Sequence, residues 1–214
     1  MYPAGNLFIP IGHGRLEAIV KEPRLEVNEG VALVLHPHPL GGGTMHNKVV
    51  FRAAGALNDA GLITLRINFR GVGQSTGQHD EGRGELDDVR AGLDYLATNY
   101  PGRPILLCGF SFGARVGLEV GMSDERVKSL ISIGTPVGKY DFGFLEACSK
   151  PILFVHGDQD EFGTVSELQR LVDEIKTQNP GVELHLTKGS GHFFEGHLDE
   201  LKQAITDWAR RELA

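Results

Sequence analysis

Apolar residues in this chain gather in short unbroken blocks: VALVLH (31–36), LITLRIN (62–68), ILLCG (105–109), SLISIG (129–134), ILFVHG (152–157) and VELHLTKG (182–189). A strand covered on both faces has no solvent side to demand polar residues, so such blocks predict a parallel sheet between layers of helix. The stretches between them carry helical spacing. KVVFRAAGALNDAG (48–61) closes on Gly61, a residue suited to the turn past a helix end. ELDDVRAGLDYLATNY (85–100) opens with acids and stops before Pro101. TVSELQRLVDEIKTQNPG (164–181) offers Thr164 and Glu167 as a capping box. HLDELKQAITDWARREL (197–213) repeats apolar residues at Leu198, Leu201, Ile205 and Trp208. Strands alternating with helices predict an α/β fold, and NLFIPI and RLEAIVKEP around a Gly-His-Gly turn add an antiparallel hairpin at one edge. Without a linker, repeat or low-complexity stretch, residues 1–214 read as one domain.

Composition narrows the function classes. The chain has 214 residues, 41% hydrophobic and 23% charged, which suits a folded domain. A net charge of −7 with no basic run argues against nucleic-acid or anionic-membrane partners. No apolar run approaches the ~18 residues of a membrane span, and residues 1–16 lack the basic start of a signal peptide. The two cysteines, Cys108 and Cys148, read as free thiols rather than a disulfide framework. These points together predict a cytoplasmic protein. Glycine, at 29 residues, is well above the usual share of about 7%, and many glycines follow the apolar blocks where the chain must turn sharply.

Gly109-Phe110-Ser111-Phe112-Gly113 matches G-x-S-x-G and lies between an apolar block and an amphipathic run. That is the strand, turn and helix setting in which a serine is presented as a nucleophile; side chains two before and two after it would collide. A serine hydroxyl needs a base within hydrogen-bond reach and a third group to orient that base. His192 follows the last apolar block, whereas His197 sits at the start of the final helix and reads as a surface residue. Asp158, Asp160 and Glu161 follow the fifth block and are the acid candidates. The dinucleotide fingerprint fails at NFRGVGQSTG, where Thr76 holds the third glycine position. Arg66, Asn68 and Arg70 in and beside this stretch read as loop-fixing residues.

Taken together, LHPHPLGGGTMHNKVV, LRINFRGVGQSTG, GELDDVRAGLDYL, GFSFGA, FVHGDQDE and GSGHFFEGHLDEL resemble the α/β-hydrolase superfamily. Within it the chain is similar to small bacterial hydrolases of the dienelactone-hydrolase-like group. The resemblance implies a three-layer α/β/α sandwich. It also places the acid at the last position of H-G-x-x-D, which is Asp160. The nucleophile is serine, not the cysteine of a true dienelactone hydrolase. Only TPVGKYDFGFLEACSKP stands where many relatives insert a lid, so a cap domain is not expected. The implied activity is that of a carboxylesterase-type serine hydrolase acting on small short-acyl esters through Ser111, Asp160 and His192, with no cofactor and no metal. Its partner is a small-molecule ester; a homo-oligomer is compatible with the sequence.

His36, His38 and His46 leave a second reading open, a metal-dependent hydrolase. A third is a non-catalytic binding protein on the same fold. Against the metal reading, the loop after the third strand is where an oxyanion hole draws its second backbone N–H, the first coming from Phe112. Prolines cannot donate, so His38, Leu40 or a glycine supplies it, and Leu40 is the expected donor. Phe193, Phe162 and Phe142 are the expected pocket wall.

Overall fold

The computed structural model describes residues 5–23 and 30–212. Strands β1 (Gly5–Ile11) and β2 (Gly14–Lys21) form the expected edge hairpin. β2 joins β4 (Ile63–Ile67) antiparallel, and from there the sheet is parallel. β3 (Val31–Leu35), β5 (Ile105–Phe110), β6 (Val127–Ile133), β7 (Ile152–Gly157) and β8 (Val182–Thr187) complete an eight-stranded sheet in the order β1-β2-β4-β3-β5-β6-β7-β8. Helices α1 (Lys48–Asp59) and α5 (Leu198–Glu212) cover one face; α2 (Glu85–Asn99), α3 (Phe112–Gly121) and α4 (Val165–Lys176) cover the other. This is the three-layer α/β/α arrangement. Leu213, the last residue of the expected terminal helix, lies outside the described residues.

Successive strand side chains point to opposite faces, so each unbroken apolar block feeds two cores. Leu33, Leu35 and Leu107 pack toward α2, α3 and α4, while Ala32, Val34, Leu106 and Cys108 pack toward α1 and α5. β6 starts earlier than its apolar block because exposed Lys128 interrupts the pattern at its first turn outward. β8 departs from the expected two-faced burial: as an edge strand it buries only Val182 and Thr187, and Glu183 and Leu186 are exposed. Thr164 and Glu167 form the reciprocal capping box at the start of α4. Both cysteines are buried and free, and burial pushes their thiols up, away from reactivity.

The carboxyl ends of the parallel strands are tied by buried polar groups. Arg66 donates to the Met45 carbonyl at 2.7 Å. Asn68 accepts from Met45 N–H and donates to Glu17, both at 2.8 Å. The backbone N–H and guanidinium of Arg70 both donate to Asp88 of α2, the shortest contacts being 2.8 Å. His36, immediately past β3, spends both ring nitrogens on backbone: Nδ1 lies 2.6 Å from the Pro37 carbonyl and Nε2 accepts Phe69 N–H at 3.0 Å. Accepting at Nε2 and donating at Nδ1 is the neutral imidazole.

Burial holds His36 down to about 4, from an ordinary 6.5, despite the opposing pull of the Pro37 carbonyl. Between those values the unfolded chain binds a proton that the folded chain does not. Stability contributed by a neutral His36 is therefore complete above the unfolded value and is lost as pH falls through the window. His156, also held low chiefly by burial, acts in the same direction. We expect the urea-derived unfolding free energy to be lower by about 2 kcal/mol at about pH 5 than at about pH 7.5 from His36 alone. A stability equal or higher at the acid value would contradict this.

Candidate functional site

Ser111 stands between β5 and α3 in a left-handed conformation, φ 55° and ψ −117°. Few non-glycine residues accept this backbone, which costs of order 1–3 kcal/mol and persists only where surrounding structure enforces it. The enforcement is visible. Ser111 N–H bonds to the Ile133 carbonyl of β6 at 2.9 Å, and the Ser111 carbonyl caps the first turn of α3 through Ala114 and Arg115. A Cβ on Gly113 would lie 2.5 Å from the His36 carbonyl oxygen and 2.8 Å from that of Leu35. A Cβ on Gly109 would meet the Gly113 carbonyl. The glycines thus let the start of α3 rest on the end of β3, and Ser111 is lifted clear of the sheet. Phe112 occupies the first helical position, where a backbone N–H has no acceptor within the helix.

His192 and Asp160 arrive on neighbouring loops, after β8 and β7. His192 Nε2 lies 2.9 Å from Ser111 Oγ, and Nδ1 lies 2.8 Å from Asp160 Oδ2. A carboxylate can only accept here, so it draws the proton to Nδ1 and leaves the Nε2 lone pair toward the serine. The other oxygen of Asp160 accepts Phe162 N–H at 2.8 Å. Both residues are buried. The imidazole is held between rings, with Phe162 at 4.5 Å, Phe110 at 5.0 Å and Phe193 at 5.2 Å between centroids. Behind it, Phe194 takes a left-handed turn and sinks fully into the core between the sheet and α5. Asp158 serves instead as a brace, accepting Gly189 N–H at 2.6 Å and tying the two loops together. His197 pairs with Glu200 at 3.6 Å on the first turn of α5.

The HPHP loop differs from expectation in its donor. Leu40 N–H is turned inward on its own loop and donates to His38 Nδ1 at 3.2 Å, while the Leu40 side chain is exposed. The N–H groups of Gly41, Gly42 and Gly43 are likewise taken by the carbonyls of His38 and Pro39, because a short 3-10 turn at Pro39–Gly41 closes the loop on itself. Leu40 is therefore not the free donor; His38 N–H is the loop amide left without an acceptor among the described residues. The metal arrangement also fails on its own ligands. His36 has no nitrogen to spare, and among the described residues no three of His, Cys, Asp or Glu converge on a cation-sized point.

A cavity of about 450 Å³ opens over Ser111 and His192. Phe162 and Phe193 line it, with His38, Leu40, Phe112 and Tyr140. Phe142 does not: it is buried against Phe144 and under Arg115, in the core beside α3 and α4. The sequence reading missed Lys139 and Tyr140 on the cavity wall, and also His79, whose ring meets His38 at 4.8 Å and Phe112 at 5.5 Å. His79 is oriented by buried Glu85 at 2.7 Å.

Among the described residues no helix is long and apolar enough to cross a membrane. A family model described as serine aminopeptidase, S33, matches residues 31–141. An uncharacterized protein of Rickettsia prowazekii is 40% identical over 187 residues, covering 85% of this chain and 79% of its own. A solved α/β serine hydrolase homologue from Coxiella burnetii is 37% identical, with a TM-score of 0.89 over 100% of this chain and 99% of that one. A lidless α/β serine hydrolase from Xanthomonas campestris is 34% identical, with a TM-score of 0.90 over 100% and 97%. With the sheet order, the turn at Ser111 and these matches in hand, the chain belongs to the serine aminopeptidase S33 family of the α/β-hydrolase superfamily.

Proposed function

We propose that this hydrolase cleaves small carboxylic esters with Ser111 as nucleophile, His192 as general base and acid, and Asp160 as the group that orients and charges the histidine. The observation that carries the reading is the unbroken hydrogen-bonded chain from Asp160 through His192 to Ser111 Oγ, opening on one cavity. Ser111 Oγ attacks the ester carbonyl as its proton passes to His192 Nε2, and the imidazolium is stabilised by Asp160. The tetrahedral oxyanion is received by the backbone N–H groups of Phe112 and His38. His192 returns the proton to the departing alkoxide, leaving an acyl-serine. Water, deprotonated by the same nitrogen, then attacks the acyl carbon, and His192 returns that proton to Ser111 Oγ as the bond to the serine breaks and the acid departs.

Two features favour small esters. Residues 134–151, between β6 and β7, contain one short 3-10 turn and no further α-helix, so nothing there roofs a long acyl chain. Among the described residues lining the cavity there is no carboxylate to hold a free α-amino group, which disfavours the aminopeptidase activity in the family's description. The tight backbone of the HPHP loop fits an oxyanion role: with the Leu40 to Gly43 amides bonded within the loop, the His38 N–H is the one left to donate.

Replacing Ser111 by Ala is expected to remove hydrolysis of a short-chain chromogenic ester to background. Asp160→Asn should lower kcat by roughly 10³- to 10⁴-fold, because the amide no longer selects the Nδ1–H tautomer. Full activity in either variant would sink the assignment. The oxyanion donor has its own test. His38→Pro deletes the backbone N–H at a residue whose φ of −52° a proline ring accommodates. It should cost kcat about 10²- to 10³-fold. His38→Ala keeps that N–H and should cost far less; equal losses in the two would point to the imidazole instead.

A further inference from the structure

The cavity over Ser111 has a charged wall. Among the described residues that line it, Lys139 is the only one with a full charge at neutral pH. It stands on a turn just past β6, where the N–H groups of Lys139 and Tyr140 both bond to the Pro136 carbonyl, at 2.9 and 3.2 Å. That turn sets the lysine and tyrosine heads on the same wall. Lys139 Nζ rests 3.8 Å from the centre of the Phe162 ring, and Phe162 in turn packs on the His192 imidazole. Lys139 is exposed, and its ammonium stands on the cavity wall one ring removed from the His192 imidazole.

Among the described residues Lys139 has no ion pair. The acids on the adjacent loop are committed elsewhere: Glu161 accepts His192 N–H at 3.4 Å, and Glu167 closes the Thr164 capping box. Glu195 lies in an adjoining cleft that shares Phe193 with the cavity. Tyr140 adds a hydroxyl with no hydrogen-bond partner among the described residues. The Lys139 ammonium, seated on an aromatic ring and without an ion pair among the described residues, is open to an incoming anion. Its charge is felt across the cavity as well. His38, on the opposite loop, is held below the ordinary histidine value by burial first and then by repulsion from His79 and Lys139.

We propose that Lys139, assisted by the Tyr140 hydroxyl, receives an anionic group of the substrate, so that the preferred substrates are small esters bearing a carboxylate or phosphate as well as the scissile bond. The inference rests on the hydrolase reading of this cavity and deepens it. A lysine suits this task as a point charge that meets either anion without a fixed approach geometry. Neutral esters of the same size would still reach Ser111 but without this anchor.

The test compares mono-p-nitrophenyl succinate and a phosphate-bearing p-nitrophenyl ester with p-nitrophenyl butyrate. In the native protein at low salt, kcat/KM is expected to favour at least one anionic ester by roughly tenfold, mainly through KM, and added salt should erode the preference. Lys139→Met keeps an apolar stem over Phe162 and should bring the ratio near one; Lys139→Glu should invert it. A native protein that prefers the neutral ester, or a preference that survives both substitutions, overturns the proposal. Binding is read separately by calorimetry on the Ser111→Ala protein, with monomethyl succinate and methyl phosphate against methyl butyrate. Tighter binding of an anion there, lost in the Ser111→Ala, Lys139→Met double variant, supports the anion site even if no ester is turned over. Absence of turnover for all three esters would fail the esterase reading alone; equal binding of all three ligands would fail this one.

Discussion

One backbone contact organises the site: the first turn of α3 sits on the carboxyl end of β3, close enough that a Cβ on Gly113 would lie 2.5 Å from the His36 carbonyl. Nothing but glycine fits there, and nothing but a left-handed residue makes the turn that brings the helix in. Three consequences follow from that single approach. Ser111 is raised above the sheet, the Phe112 N–H is left open at the helix start, and the loop after β3 is brought alongside the serine. The strain at Ser111 is sustained by the bonds on either side of it, to β6 and into α3.

Histidine shows how environment decides what one residue type does. His36 is buried with both nitrogens bonded to backbone, so it remains neutral and joins β3 to the segment after β4. His38 is less buried and caps its own loop through Nδ1, which fixes the loop backbone beside the cavity. His192 is as buried as a core residue, yet a carboxylate stands on one nitrogen and a hydroxyl on the other. Of these three, only the last gains a proton and gives it back in the proposed reaction, because its carboxylate offsets the cost of burying an imidazolium. Phe110, Phe162 and Phe193 pack around the imidazole and hold the ring in place.

Much of this could be read from residue pattern alone, because the features concerned are local or periodic. Unbroken apolar blocks announced strands covered on both faces, and the glycines around Ser111 announced the tight turn. Asp160 and His192 followed from their places after strands and from the family resemblance. What escaped was direction. Pattern locates the HPHP loop but not the 3-10 turn that folds Leu40 N–H back onto His38, so the open amide lay two residues earlier than expected. Phe142 and Phe162 are the same residue type on loops near the site; only packing separates the one under Arg115 from the one beside His192. Lys139 and Tyr140 sit in a segment whose shortness, rather than its chemistry, attracted notice. A lysine gains meaning from the acids that fail to approach it, and those are set by tertiary structure.

Everything proposed for the cavity requires Ser111 to be an activated nucleophile. The direct measurement is labelling of the purified protein with a small fluorophosphonate, followed by peptide mass spectrometry. A single phosphonyl adduct on the peptide containing Ser111, formed rapidly in the native protein and at least about a hundredfold more slowly in His192→Ala, is the predicted result. An unlabelled protein, an adduct on another residue, or a labelling rate indifferent to His192 would contradict it.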